Sequence, residues 1–244
     1  MRFKVQLSYL GTAYSGWQRQ PEDVSVQQVL EEAFTTILRS PVELVGCGRT
    51  DTGVHARCYV AHFDVPDLPD PSKTLYQVNA ILPNDIAIHS LKQASPEFHA
   101  RYDAVARQYR YFIHFEKNPF LREQSYYFHY HTTLRQDLMH SAAALLLQYE
   151  QFKSFCKTGS DADQYACRMM ESKWEFHHDR AIYTVEANRF LRGMVRLIVG
   201  ACLNIGLEKI SLKDLVDSLD KQEPVPHAWS VPPEGLFLEK VIYP

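Results

Sequence analysis

Two hydrophobic periods alternate along this chain, and their order restricts the folds open to it. Phe3, Val5, Leu7 and Tyr9 alternate with polar residues, the period of a half-buried strand. Val29, Leu30, Ala33, Phe34 and Ile37 then recur at helical spacing, behind Ser25 and Gln28 at capping-box spacing, and Pro41 closes the segment. The apolar run Val42 to Cys47 reads as a buried strand. After a sharp turn a further strand runs through Cys58 to Val65, a helix spans about Ser72 to Leu82, and Ile86 to Leu91 is a strand. The first part thus reads β-α-β-β-α-β.

The second part echoes that order. Arg107 to Phe115 alternates as a long strand, and Leu134 to Gln148 is helical. Trp174 and Phe176, then Ile182, Thr184 and Glu186, form a hairpin turning at His178-Asp179-Arg180. Phe190 to Leu207 is an apolar helix, Asp214 to Leu219 a shorter one, and Gly235 leads into a last strand. The expected fold is α+β: two similar β-α-β-β-α-β-like halves, residues 1–102 and 103–244, building a mixed, mostly antiparallel sheet with helices on one face.

Composition narrows the function classes. The 244 residues are 45% hydrophobic and 23% charged, ordinary for a globular protein with a sizeable core. No run is long enough to span a membrane, and the five cysteines form no CxxC pair, which predicts reduced thiols in a cytoplasm. At a net charge of −3 the molecule is no polycation, so any nucleic-acid surface must come from segregated charge. Arg189, Arg192 and Arg196 cluster without an acid among them, and Arg101, Arg107 and Arg110 stand among Tyr102, Tyr109 and Tyr111. Arg outnumbers Lys, which suits planar pairing with phosphate and stacking on bases.

One stretch carries candidate chemistry. In Gly48-Arg49-Thr50-Asp51-Thr52-Gly53-Val54-His55 two glycines bracket a carboxylate, so Asp51 is expected on a stiff turn with Arg49 able to pair with it or reach past it. Asp51-Thr52-Gly53 is also the aspartic-protease triplet, but that chemistry needs two carboxylates sharing a proton and only one copy is present. His129-x-His131 and His177-His178 lack a surrounding ligand pattern, and no zinc-deaminase, P-loop, GxGxxG or nucleophile-elbow motif occurs. What remains is one carboxylate among basic and aromatic residues, with no cofactor site, and one Asp acting alone can still be a nucleophile.

Several blocks, in order from residue 9 to 243, resemble the TruA-type tRNA pseudouridine synthases. They are Tyr14-Ser15-Gly16-Trp17-Gln18-Arg19-Gln20, Ser25-Val26-Gln27, the Gly48 to His55 stretch, Phe98-His99-Ala100-Arg101 and Ala106-Arg107-Gln108-Tyr109-Arg110-Tyr111. Asn188-Arg189-Phe190, Met194-Val195-Arg196, Val199-Gly200 and Gly235-Leu236-Phe237-Leu238 complete the set. Thr52 stands where the family more often has Ala, and the segment between Phe155 and Trp174 matches poorly.

The resemblance implies two α+β halves with a catalytic cleft between them, a homodimer, and isomerisation of uridine to pseudouridine at positions 38, 39 and 40 of the tRNA anticodon stem-loop, without metal or cofactor. It implies Asp51 as nucleophile, Tyr109 on the uracil ring, Arg196 as the partner of Asp51, and Arg49 entering the space a flipped base leaves. A non-catalytic RNA-binding module, and a synthase acting on a different RNA or uridine, are the alternatives.

Overall fold

A computed structural model describes residues 1–157 and 164–244. The chain divides into two compact units: Met1–Val105 together with Phe237–Pro244, and Ala106–Leu236. The last strand therefore joins the first unit, although it follows the second in sequence.

In the first unit, β1 (Arg2–Tyr9) pairs antiparallel with β3 (His55–Asp64) on one side and with β4 (Ile86–Gln93) on the other. The two-residue β2 (Val45–Gly46) pairs antiparallel with β3, and β9 (Leu236–Ile242) joins β3 in parallel. This sheet is mixed and mostly antiparallel, as the alternating pattern predicts. Phe3, Val5, Leu7 and Tyr9 are all buried. Helix α1 (Val26–Leu38) covers their face, with Phe34 against Phe63 at 4.9 Å and Phe63 stacked on Phe3 at 5.9 Å. Helix α2 (Pro71–Ile81) starts at Asp70, whose carboxylate accepts from the Lys73 amide, and clasps β4 through Asn79, which bonds both the N–H and the C=O of Ile88 at 2.8 Å.

Two local expectations change. Ser25 caps α1 by accepting from the Gln28 amide, but the Gln28 side chain donates to Glu32 instead of returning to Ser25, so only half of the capping box forms. The run Val42 to Cys47 is a strand only over Val45–Gly46. Before it the backbone is taken by side chains of α1: the Val42 amide donates to Thr35, the Leu44 amide to the buried Glu31, and Gln27 donates to the Leu44 carbonyl, while after it the Cys47 amide donates to the Val60 carbonyl of β3 at 2.9 Å. Backbone satisfied by a helix has no need of a neighbouring strand.

In the second unit, β5 (Ala106–His114) pairs antiparallel with β8 (Arg180–Ala187), which pairs antiparallel with β7 (Met169–Phe176). The short β6 (Tyr126–Tyr127), invisible in the pattern, runs parallel to β5. Helices α3 (Gln136–Leu146), α4 (Met194–Gly206) and α5 (Leu212–Lys221) complete it. Nearly all of α4 is buried, as expected of a helix that is apolar on every side.

The apolar helix expected from Phe190 starts four residues later, because Gly193 precedes it in a left-handed conformation (φ 71°) and breaks the helical run. Arg189 and Arg192 therefore lie in the connection before α4, not on it, and only Arg196 sits in its first turn. Of the poorly matched segment before Trp174, residues 158–163 lie outside the described residues.

Candidate active site

The Asp51 turn is held by the loop that precedes α1 and by aromatic side chains of the first sheet. The Tyr59 hydroxyl donates to the Gly48 carbonyl, and the Tyr9 hydroxyl bonds the Thr50 hydroxyl at 2.8 Å. The Trp17 amide donates to the Thr50 carbonyl and the Gly53 amide to the Tyr14 carbonyl, both at 3.3 Å. Trp17 stacks on Tyr59 at 3.9 Å, while the Gly11 amide donates to Nδ1 of the fully buried His55. Asp51 is half-buried at the edge of this framework. A carboxylate fixed through its own backbone loses little freedom when it meets a reacting atom.

The glycines that shape the turn are not the bracketing pair read from the motif. Gly53 does adopt a left-handed conformation (φ 77°). Gly48 does not, and a Cβ there would meet nothing within 4 Å. The second essential glycine is Gly16 of the neighbouring loop, at φ 87° and packed directly on the turn.

Arg49 is exposed and makes no ion pair among the described residues, so in this state it is not held against Asp51. Nearby, Tyr14 donates to Asp85 at 2.6 Å. Burial, with that carboxylate beside it, pushes the Tyr14 hydroxyl well above the usual phenol range, so it stays a donor.

The other two candidates belong to the second unit. Tyr109 projects from β5, half-buried, its ring edge-on to Phe190 with centroids 5.1 Å apart and planes at 89°. Arg196 is half-buried and donates from Nε to the Val231 carbonyl at 2.7 Å, which orients its guanidinium. Arg107 donates to the Asn188 carbonyl at 2.9 Å, tying β5 to the connection that carries Arg189 and Arg192, both exposed. Arg107 is thus structural, whereas Arg189 and Arg192 point their charge to solvent. Tyr111, on the same strand face as Tyr109, is buried and donates to the Pro232 carbonyl at 2.7 Å. Sequence reasoning missed Glu31 and Asp85, and the role of His55 as acceptor for the Gly11 amide, because these partners lie distant in sequence. Among the described residues no three His, Cys, Asp or Glu side chains gather to hold a metal ion, and no helix is long and apolar enough to cross a membrane.

Residues 7–103 and 142–244 match the family described as tRNA pseudouridine synthase. The chain belongs to the tRNA pseudouridine synthase family. Relatives along the whole chain agree. The tRNA pseudouridine synthase A of Porphyromonas gingivalis is 42% identical over 247 residues, covering 100% of this chain and 97% of the relative. That of Bacteroides fragilis is 40% identical over 245 residues, covering 100% and 96%. The protein of the same name in Bacillus subtilis is 35% identical over 245 residues, covering 100% and 99%. Both matched stretches of the pseudouridine synthase family include candidate residues: Arg49 and Asp51 fall in the first, and Arg196 in the second.

Proposed function

We propose that this member of the family isomerises uridine to pseudouridine in tRNA, at positions 38, 39 and 40 of the anticodon stem-loop, with Asp51 as nucleophile and no cofactor. The observation that carries the reading is the half-buried Asp51 carboxylate, held on a turn that is pinned through its backbone. The reaction is an isomerisation. The bond from N1 to the ribose C1′ breaks, a bond from C5 to C1′ forms, C5 loses a proton and N1 gains one. Electrons balance without an oxidant or reductant, so protein side chains suffice.

In this reading the target nucleotide leaves the stack, at a cost of a few kcal/mol. The exposed Arg49 enters the space it leaves. Asp51 attacks at C1′ or at C6, the freed base turns, and it rejoins through C5. Tyr109 lies on the uracil ring and assists loss of the C5 proton; its edge-on contact with Phe190 supports that placement by fixing the orientation of the ring. Arg196 is the partner of Asp51. The enzyme works as a cytoplasmic homodimer.

The experiment is tritium release from tRNA labelled at uridine C5, together with mapping of pseudouridine in tRNA from cells with and without the protein. Asp51→Asn keeps the side-chain volume and removes the nucleophile. It is expected to bind tRNA and release no tritium. Appreciable turnover by this variant would sink the assignment.

A further inference from the structure

The second unit holds a pocket of about 580 Å³ that the chemistry above does not use. It is lined by Tyr126, Phe128, Tyr130 and Trp229, by the basic side chains of Lys209 and His227, and by Asn204 and Leu207. Half of this lining is aromatic and none of it is acidic. The rings stand at angles to one another: Tyr126 is edge-on to Trp229 at 6.0 Å and 75°, and Phe128 edge-on to Tyr130 at 5.9 Å and 67°. His129 lies against Tyr130, with ring centroids 3.8 Å apart, so Tyr126, Phe128 and Trp229 are the rings that offer the cavity an aromatic wall for a planar guest.

The lysine is available. The neighbouring acid, Glu208, reaches towards Arg135 at 3.8 Å, and Lys209 makes no ion pair among the described residues. Glu208 (φ 55°) closes α4 in a left-handed turn, the Lys209 amide donating to the Asn204 carbonyl at 2.9 Å, which fixes the backbone of Lys209 at the rim. Asn204 also holds the His227 segment by donating to its carbonyl at 3.0 Å. The Trp229 backbone lies directly on α4 because Gly200 has no side chain; a Cβ there would stand 1.8 Å from the Trp229 carbonyl oxygen.

We infer that this pocket binds an unpaired nucleotide of the RNA substrate, its base stacked against Trp229 and Tyr126 and its phosphate on Lys209. Aromatic platforms beside cations are how proteins hold single-stranded nucleic acid. The volume falls in the range of small-molecule sites. Position favours RNA over a free nucleotide: Asn204 lies eight residues beyond Arg196 on α4, about 12 Å at helical rise, so one strand can engage both ends of the helix. The inference rests on the reading of the chain as an isomerase acting on tRNA.

The test uses intrinsic fluorescence of the full chain. Of the three tryptophans, Trp17 and Trp174 are buried, so Trp229 is the one a ligand can quench directly. Titration with a short oligouridylate and with tRNA is expected to give saturable, salt-sensitive quenching. Trp229→Leu is expected to weaken tRNA binding about tenfold, within the range of a lost stack. Lys209→Gln, an exposed change that leaves the fold alone, is expected to reduce the slope of log K against log salt by about one unit or less. Single-turnover rates at saturating tRNA should stay as in the parent.

Absence of quenching by oligouridylate and tRNA, while tRNA binding is seen by filter retention, overturns the inference. So does quenching that is indifferent to Lys209→Gln and reproduced by a neutral aromatic alcohol, because the pocket is then merely apolar. If Trp229 reports RNA but no pseudouridine forms, the proposed function fails alone. If pseudouridine forms and Trp229 does not respond, the pocket assignment fails alone.

Discussion

Gly16 packs so tightly on the Asp51 turn that a Cβ added to it would stand 2.3 Å from the carbonyl oxygen of Thr50. Gly16 is also left-handed, at φ 87°, so a side chain there is strained twice over. Gly16→Ala is expected to lower stability by roughly 1–3 kcal/mol, the range for a buried clash or a backbone misfit. It should also move Asp51 and cut single-turnover pseudouridine formation more than tRNA affinity. Gly48→Ala is the control, since a Cβ there meets nothing within 4 Å; it should change both by little. Thermal melts and single-turnover assays of the two variants check this. A Gly48 variant as damaged as the Gly16 one would refute the assignment of roles.

Tyr109→Phe separates the ring from its hydroxyl. The edge-on contact with Phe190 needs only the ring, so the fold and most of the stacking on a base should persist. Turnover is expected to fall far more than tRNA affinity. A near-normal single-turnover rate in the Tyr109→Phe variant would remove Tyr109 from the proton transfer.

Arg192 and Arg196 should fail differently. Arg192 is exposed in the connection before α4, whereas Arg196 is half-buried and oriented by the Val231 carbonyl. Arg192→Ala is expected to flatten the salt dependence of tRNA binding by roughly one unit or less. Arg196→Ala is expected chiefly to slow chemistry on bound tRNA, with Arg196→Lys retaining part of the rate because it retains the charge. Normal single-turnover chemistry by Arg196→Ala at saturating tRNA would leave Arg196 a binding residue only.

His62 makes stability pH-dependent in a definite direction. It is buried, and its Nδ1 accepts from the Ala100 amide at 3.1 Å. Burial, then the charges of Arg2 and His99, push its pKa from 6.5 down to about 4. The folded state therefore holds the neutral ring, while the unfolded chain takes up a proton below about pH 6.5. This contribution is complete above that value and is lost as pH falls towards about 4. His62→Asn offers Ala100 an acceptor that does not titrate. Denaturant unfolding between pH 7 and pH 4 should show a shallower decline for the variant, and parallel declines would count against His62.

Much of the fold and the choice of candidate site residues follow from short-range pattern. Alternation marked β1 and β5, Gly235 marked the start of β9 and Ser25 that of α1, and the ordered blocks around Asp51, Tyr109 and Arg196 pointed to the family, because each signal lies within a few neighbouring residues. What the tertiary structure decided involves partners far apart in the chain. It assigned Val42 and Leu44 to the side chains of α1 instead of a longer strand, and made Gly16, not Gly48, the glycine on which the Asp51 turn rests. It placed Phe237–Pro244 with the first unit. It also brought Tyr126, Lys209 and Trp229 to one pocket. No local period records such meetings: they are set by which surfaces pack and which backbone groups must find a partner once water is excluded.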